Sequence, residues 1–297
     1  MITSMAPNVI GVGDLKIADT ARVSPDVQFI FHSPACISIG DYCVIGPGVK
    51  FVCSGGDIAI EDWTTLHDRC LVLSGIGVKL CEHGWFGQNS IIDGTGGITV
   101  GRGVRVGMYS QLWSHVAAGE QIEGCTLFGE RPVTIEDDVW LVGSCIVASG
   151  IRIGHRTVAL IGSNITKSCE PYSVLAGSPA MPKPNLSFYK PITLSEKWEL
   201  LDKWLQDIAT NSDTFLFEKS TVGISILQMK SDPTDSKIIF AKDTITAINT
   251  REQYPDATVC CVENKTYNKC LSQIEHQVLK TLAGNKARFY SLGSGVK

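Results

Sequence analysis

An apolar residue returns at every sixth position along much of this chain, and few architectures accommodate that spacing. Ile135, Leu141, Val147, Ile153, Ala159 and Ile165 form one unbroken series. Upstream the same step appears in triplets: Ile17, Val23, Phe29; Ile39, Ile45, Phe51; Ile60, Leu66, Val72; Leu80, Phe86, Ile92; and Val100, Val106, Leu112. Each triplet reads as one three-sided coil. A single coil cannot bury its own interior face, so stacking is the route to a continuous core, and stability grows as a sum of neighbour interfaces.

Successive triplets begin 22, 21, 20, 20, 35 and 18 residues apart. Every coil therefore has a common hexamer basis, and extra residues enter only after its third hexamer, at one shared corner. Four residues after the ladder positions stand small or β-branched residues: Cys43, Val49, Thr64, Cys70, Ser90, Val104, Ser110, Val139, Cys145, Ile151, Thr157 and Cys169. Cys43, Cys70, Cys145 and Cys169 are thus expected in the core. None of the 11 cysteines forms a CxxC pair, and a cytosolic chain keeps them as thiols. Glycine and aspartate just past the ladder, as in Ile39-Gly40-Asp41, suit tight corners.

Composition narrows the function classes. Lys and Arg number 26 against 30 Asp and Glu, without a basic run, which argues against a nucleic-acid partner. Met1–Gly13 lacks the sections of a signal peptide, and no apolar stretch is long enough to cross a membrane, so the expected compartment is the cytoplasm. Gly101-Arg102-Gly103 lies inside a repeat instead of between strand and helix, and is no dinucleotide fingerprint.

The 35-residue step isolates one long excursion, Val116 to Pro132, where the other insertions are two to four residues. Long loops on rigid scaffolds are disproportionately functional. Before it runs Ser110-Gln111-Leu112-Trp113-Ser114-His115. After it runs Pro132-Val133-Thr134-Ile135-Glu136-Asp137-Asp138-Val139-Trp140, and the repeats close on Val174-Leu175-Ala176-Gly177-Ser178-Pro179-Ala180. On these elements, residues 35 to 184 resemble the hexapeptide acetyltransferases that modify sugars. These are the galactoside, maltose and nodulation-factor acetyltransferases, and especially the capsule and O-antigen O-acetyltransferases.

The resemblance implies a left-handed parallel β-helix of about seven coils, an unusual hand for parallel crossovers, and acetyl-CoA as co-substrate without a metal. It places the general base at His115, where an imidazole with a pKa near 6.5 takes the proton of a sugar hydroxyl as the thioester is attacked directly. Trp140 falls beside the acetyl group and pantetheine, its indole N–H a potential donor. The backbone amides of Gly143 and Ile161 fall along the pantetheine, and backbone N–H groups of adjacent coils would meet the developing oxyanion. Thr166, Lys167 and Lys183 fall toward the phosphates. Met181 departs from the pattern where Lys or Arg is usual. On the acceptor side the resemblance points to Asn89, with corner turn residue as the competing role. Asp93 and Glu130 are candidates to contact hydroxyls or to orient His115, a role for which Glu120 and Glu123 also compete. His32, His67, His83, His155 and His276 have no comparable context and read as structural or surface residues.

The function expected is O-acetylation of a bacterial surface polysaccharide, capsule or O-antigen, or of its sugar precursor, by a homotrimer with active sites between subunits. His115 and Trp140 then need not come from one subunit. The alternatives are N-acetylation of an amino sugar or xenobiotic, and a β-helix that serves as a structural module. A zinc-dependent carbonic anhydrase would need converging histidines, and no His-x4-His spacing exists.

The periodicity stops near Pro184, so the β-helix domain is expected over 1–185 and a small α+β domain of unassigned role over 186–297. Thr193-Leu194-Ser195-Glu196 resembles a capping box ahead of Trp198, Leu201, Trp204, Leu205 and Ile208 at helical spacing. Strands are expected over Thr214–Phe217, Gly223–Gln228, Lys237–Phe240, Ala257–Val262 and Ala287–Leu292, with a helix over Thr266–Leu282.

Overall fold

A computed structural model of the chain describes residues 8–220, 223–230 and 237–293. The first seven residues, part of the stretch read for a targeting signal, lie outside these. The chain divides into two compact units between Tyr189 and Lys190.

The first unit is a parallel β-helix. Its hexamers become the strands of three parallel sheets, so each coil crosses three faces in turn. Face I runs from Asp14–Ile17 to Arg152–Ile153, face II from Arg22–Val23 to Val174–Ala176, and face III from Asn8–Gly11 to Asn164–Ile165. Seven full coils stack in register, with Ile39 beside Ile60, Ile45 beside Leu66 and Phe51 beside Val72. From Phe29 onward every ladder residue through Ile165 is at most 2% exposed, and Phe29 stacks on Phe51 at 5.3 Å. Fully burying one such aliphatic side chain is worth roughly 1.5–3 kcal/mol.

The expected small residues line the same interior. Cys43, Cys70 and Cys145 are buried, and Cys169 packs half-buried against the core. Burial pushes the Cys43 thiol up to about 12 and that of Cys70 to about 11, so both stay protonated. Buried hydroxyls are satisfied by backbone carbonyls: Thr64 Oγ1 donates to the Cys81 carbonyl of the next coil at 3.1 Å, and Ser90 Oγ to that of Gly87 in its own coil at 2.7 Å. The corners differ from expectation. The left-handed residue sits three places past the ladder and is mostly not glycine: Tyr42, Trp63, His83, Asp138, Arg156 and Tyr172 between faces I and II, and Arg69, Asn89, Tyr109 and Ser144 between faces II and III. Such residues cost on the order of 1 kcal/mol or more each, offset where their rings pack together: Tyr42 tilts against Trp63 at 4.4 Å and Trp63 stacks on His83 at 5.8 Å. Gly40 serves a different need, since a Cβ there would come within 2.9 Å of the Asp62 backbone nitrogen in the next coil.

The second unit is α+β. Helix α1 (Leu194–Thr210) starts at the expected capping box, with both reciprocal bonds between Thr193 and Glu196 formed. A six-stranded mixed sheet follows, beginning with Phe215–Ser220, Ile224–Met229, Lys237–Ala241 and Thr258–Cys261. Two elements depart from expectation. Helix α2 (Thr244–Gln253) fills a stretch left unassigned; it buries only Ala247 and Thr250, so it has no apolar stripe to read. The helix expected from Thr266 begins at α3 (Gln273–Ala283), capped by Ser272, because Thr266–Tyr267 is drawn into the sheet as a strand.

Candidate active site

The long excursion leaves and re-enters at the corner between faces III and I. His115–Ala117 pairs antiparallel with Phe128–Glu130, and the tip holds a single turn at Gln121–Glu123. At the base the Arg131 N–H donates to the Ser114 carbonyl at 2.7 Å, which returns the chain to face I at Val133. Gly96 makes this base possible, because a Cβ there would overlap the Ser114 carbonyl oxygen and come within 2.7 Å of the Arg131 nitrogen. His115 is therefore fixed by the scaffold at the loop's root.

Asp93 lies in the face III strand Ile91–Gly94 one coil earlier, in register with Trp113, and is fully buried. Its Oδ2 is hydrogen-bonded to His115 Nδ1. Its Oδ1 accepts from the Thr95 amide at 2.9 Å and from Thr95 Oγ1 at 2.6 Å. A carboxylate only accepts, so this arrangement assigns the proton to Nδ1 and leaves the Nε2 lone pair outward. The His115 side chain is 38% exposed, enough to meet a ligand. Trp113 stands edge-on to the imidazole at 6.3 Å. An open cleft of about 380 Å³ is lined by Thr95, His115, Val116, Phe128, Gly129 and Glu130. Glu130 lies directly opposite His115 in the hairpin.

The candidate residues thus fall at separate places on the coil. Asp93, His115 and Glu130 converge at the III–I corner, where Thr166 and Lys167 also stand exposed after the face III strand of coil seven. Gly143 and Ile161 stack on adjacent coils at the II–III corner, with the Gly162 N–H donating to the Gly143 carbonyl at 2.9 Å. Ile161 is 73% exposed. Asn89 belongs to that same corner, where it takes the left-handed turn position and accepts from Arg69 Nε at 3.0 Å. Trp140 projects outward from face II. In a three-sided coil, face II lies opposite the III–I corner, so one chain does not bring Trp140 to His115. Lys183 is exposed beyond the short return strand Met181–Pro182.

Thr95, Trp113 and Phe128 were not singled out from the sequence. For Thr95 the Asp93-Gly94-Thr95 spacing was the available signal, since Asp and a hydroxyl residue two places on commonly close a turn. Three of the other five histidines make ring contacts within the scaffold. His83 stacks on Trp63, His155 stands edge-on to Tyr172, and His67 to Trp85, with burial lowering the His67 pKa. Among the described residues no cluster of three or more His, Cys, Asp or Glu is placed to hold a metal ion, and no helix is long and apolar enough to cross a membrane.

No family model matches the chain. The chain is 40% identical over 50 residues to a 2,3,4,5-tetrahydropyridine-2,6-dicarboxylate N-acetyltransferase of Ligilactobacillus salivarius, covering 17% of this chain and 21% of that protein. It is 31% identical over 108 residues to nodulation protein L of Rhizobium meliloti, covering 36% of this chain and 58% of that protein. The chain thus spans a fifth to under three fifths of these relatives. Among solved structures, the crystallographically analysed polysialic acid O-acetyltransferase OatWY superposes with a TM-score of 0.51 at 20% identity, over 64% of this chain and 93% of that one. The fold is the left-handed β-helix of hexapeptide-repeat acetyltransferases, and the resemblance carried by the sequence motifs is found again in these acyltransferases.

Proposed function

We propose that this chain, with the β-helix and local sequence of hexapeptide-repeat acetyltransferases, is a cytoplasmic O-acetyltransferase. It moves acetyl from acetyl-CoA to a hydroxyl of a bacterial surface polysaccharide, capsule or O-antigen, or of its sugar precursor. The observation that carries this reading is the buried Asp93 bonded to Nδ1 of His115 at the root of the long loop. The free Nε2 then accepts the acceptor's hydroxyl proton while that oxygen bonds to the acetyl carbon. The C–S bond breaks, and the same proton passes to the leaving thiol, so His115 ends as it began. A general base of this kind supplies about 10²- to 10⁴-fold. Glu130, across the hairpin, receives a neighbouring hydroxyl, and Asn89 remains an acceptor candidate through the part of its amide not engaged by Arg69.

The chain also offers surface that fits the acyl donor. At the II–III corner only the Met108 carbonyl, at 3.7 Å, stands near the position a Gly143 Cβ would take, and the exposed Ile161 follows on the next coil. Backbone there can lie along a pantetheine arm beside Trp140, with Thr166, Lys167 and Lys183 toward the phosphates. Because Trp140 and His115 occupy opposite sides of the coil stack, we assign the working form as a homotrimer with each site between two subunits.

The test is thiol release from acetyl-CoA over capsular, O-antigen and amino-sugar acceptors, with the product located by NMR. Ester formation on a glycan hydroxyl is expected. Release with amino sugars alone would replace this reading with N-acetylation, and release no faster than hydrolysis with every acceptor would return the chain to a structural module.

A further inference from the structure

The loop hairpin turns one of its two faces to the cleft beside His115. Within it His115 pairs with Glu130 and Ala117 with Phe128. These pairs alternate with backbone-bonded ones, since the Arg131 N–H donates to the Ser114 carbonyl and the Ala118 N–H to that of Leu127. They are therefore the non-hydrogen-bonded pairs of the ladder, whose Cα atoms lie about 4.5 Å apart and whose side chains come closest. Strand alternation puts all four side chains on one face. Phe128 stands diagonally from His115, roughly 7–8 Å away, and the small Ala117 opposite leaves its ring room. The ring is 47% exposed, and it lines the cleft of about 380 Å³ together with His115, Glu130 and Thr95.

The polar side chains of this cleft share one property: each offers an acceptor. His115 gives its Nδ1 proton to Asp93 and turns the Nε2 lone pair outward. Thr95 Oγ1 gives its proton to Asp93 Oδ1, which leaves its lone pairs to accept. Glu130 carries a carboxylate, which only accepts, and among the described residues nothing donates to it. The remaining lining residues, Val116, Phe128 and Gly129, have no polar side-chain atom. A ligand thus meets three acceptors, one aromatic ring and no side-chain donor.

We infer that Glu130 and Phe128 select the acceptor: the residue that is acetylated is an uncharged pyranose, with its C–H face on Phe128 and adjacent hydroxyls donating to Nε2 and to Glu130. The apolar face of a sugar packs on an aromatic ring as other apolar surface does, while hydroxyls at its rim reach polar partners. A carboxylate or phosphate held there would find no side-chain donor and would lie against Glu130, and like charges placed together reject a partner. The constraint falls on the reacting residue and leaves acidic units elsewhere in a polymer free. The inference rests on the acyltransferase reading, because it takes His115 as the base.

The experiment is an NMR titration of the full chain, with coenzyme A present to prevent turnover. The probes are the methyl glycosides of glucose, galactose and mannose, of their uronic acids, and of glucosamine. Coenzyme A affinity is measured in parallel by calorimetry. At least one neutral glycoside is expected to bind about tenfold or more tighter than its uronic acid, with saturation transfer strongest to the protons of one ring face. Glu130→Gln keeps the shape, removes the charge and erases that difference. Phe128→Ala weakens both ligands alike and removes the bias toward one ring face, whereas Phe128→Tyr keeps it. All three variants leave coenzyme A affinity unchanged. Equal binding of neutral sugar and uronic acid by wild type, or binding of neither, overturns the inference. Tighter binding of the glucosaminide than of any neutral glycoside overturns it too, because Glu130 would then serve an ammonium. Failure to bind coenzyme A would instead strike at the acyltransferase reading. The wild-type comparison stands even if a variant does not fold.

Discussion

Asp93 decides what His115 can do. Without a partner the imidazole would sample both tautomers and several rotamers, whereas a buried carboxylate fixed by Thr95 commits Nδ1 to donation and holds the ring in place. Asp93→Asn keeps the size of the group but presents an amide that can donate to Nδ1 and favour the wrong tautomer. We expect kcat to fall by about 10²-fold or more with acetyl-CoA affinity unchanged, measured by thiol release and calorimetry. An unchanged kcat would mean that the pair is structural. The histidine was legible in the sequence because the only long insertion begins beside it. Its partner was not, because Glu120, Glu123, Glu130 and Asp93 were all admissible by spacing. Only the register of face III, which sets Asp93 beside Trp113, separates the scaffold carboxylate from the loop carboxylates.

At the scale of elements, the hairpin that bears the site is held at its base by a backbone contact that tolerates no side chain. Gly96→Ala places a Cβ against the Ser114 carbonyl and the Arg131 nitrogen, so the base opens. Activity is expected to drop sharply while the melting temperature changes by only a few degrees, since the coils beneath remain stacked. Phe51→Ala acts in the opposite sense: it leaves a cavity beneath the stacked Phe29 and should cost about 3–5 kcal/mol in denaturant unfolding, with the site geometry unchanged in the surviving folded protein. The β-helix was readable from the sequence because each hexamer repeats the same packing problem, so period and burial coincide from Phe29 to Ile165. The second unit lacked that redundancy. Helix α2 buries too little to leave a stripe, and Thr266–Tyr267, helical by pattern, is taken into the sheet between Thr258–Cys261 and Tyr290–Ser291, partners that lie elsewhere in the chain.

For the whole molecule, the separation of His115 and Trp140 onto opposite sides of the coil stack has a direct consequence. If each site is built between subunits, co-refolded mixtures of His115→Ala and Trp140→Ala chains contain some sites with both native residues. Mixing two weakly active variants should then restore a measurable fraction of wild-type thiol release, and light scattering should give three times the chain mass. No recovery on mixing, or a monomer that retains full activity, would place the site within one chain. The central claim is narrower: the imidazole held by Asp93 removes the proton of a glycan hydroxyl. Its most direct measurement is the single-turnover rate of acetyl transfer to a purified acceptor oligosaccharide by wild type and by folded His115→Ala at saturating acetyl-CoA. A loss of about 10²- to 10⁴-fold is predicted, and an equal rate in the two proteins would contradict it.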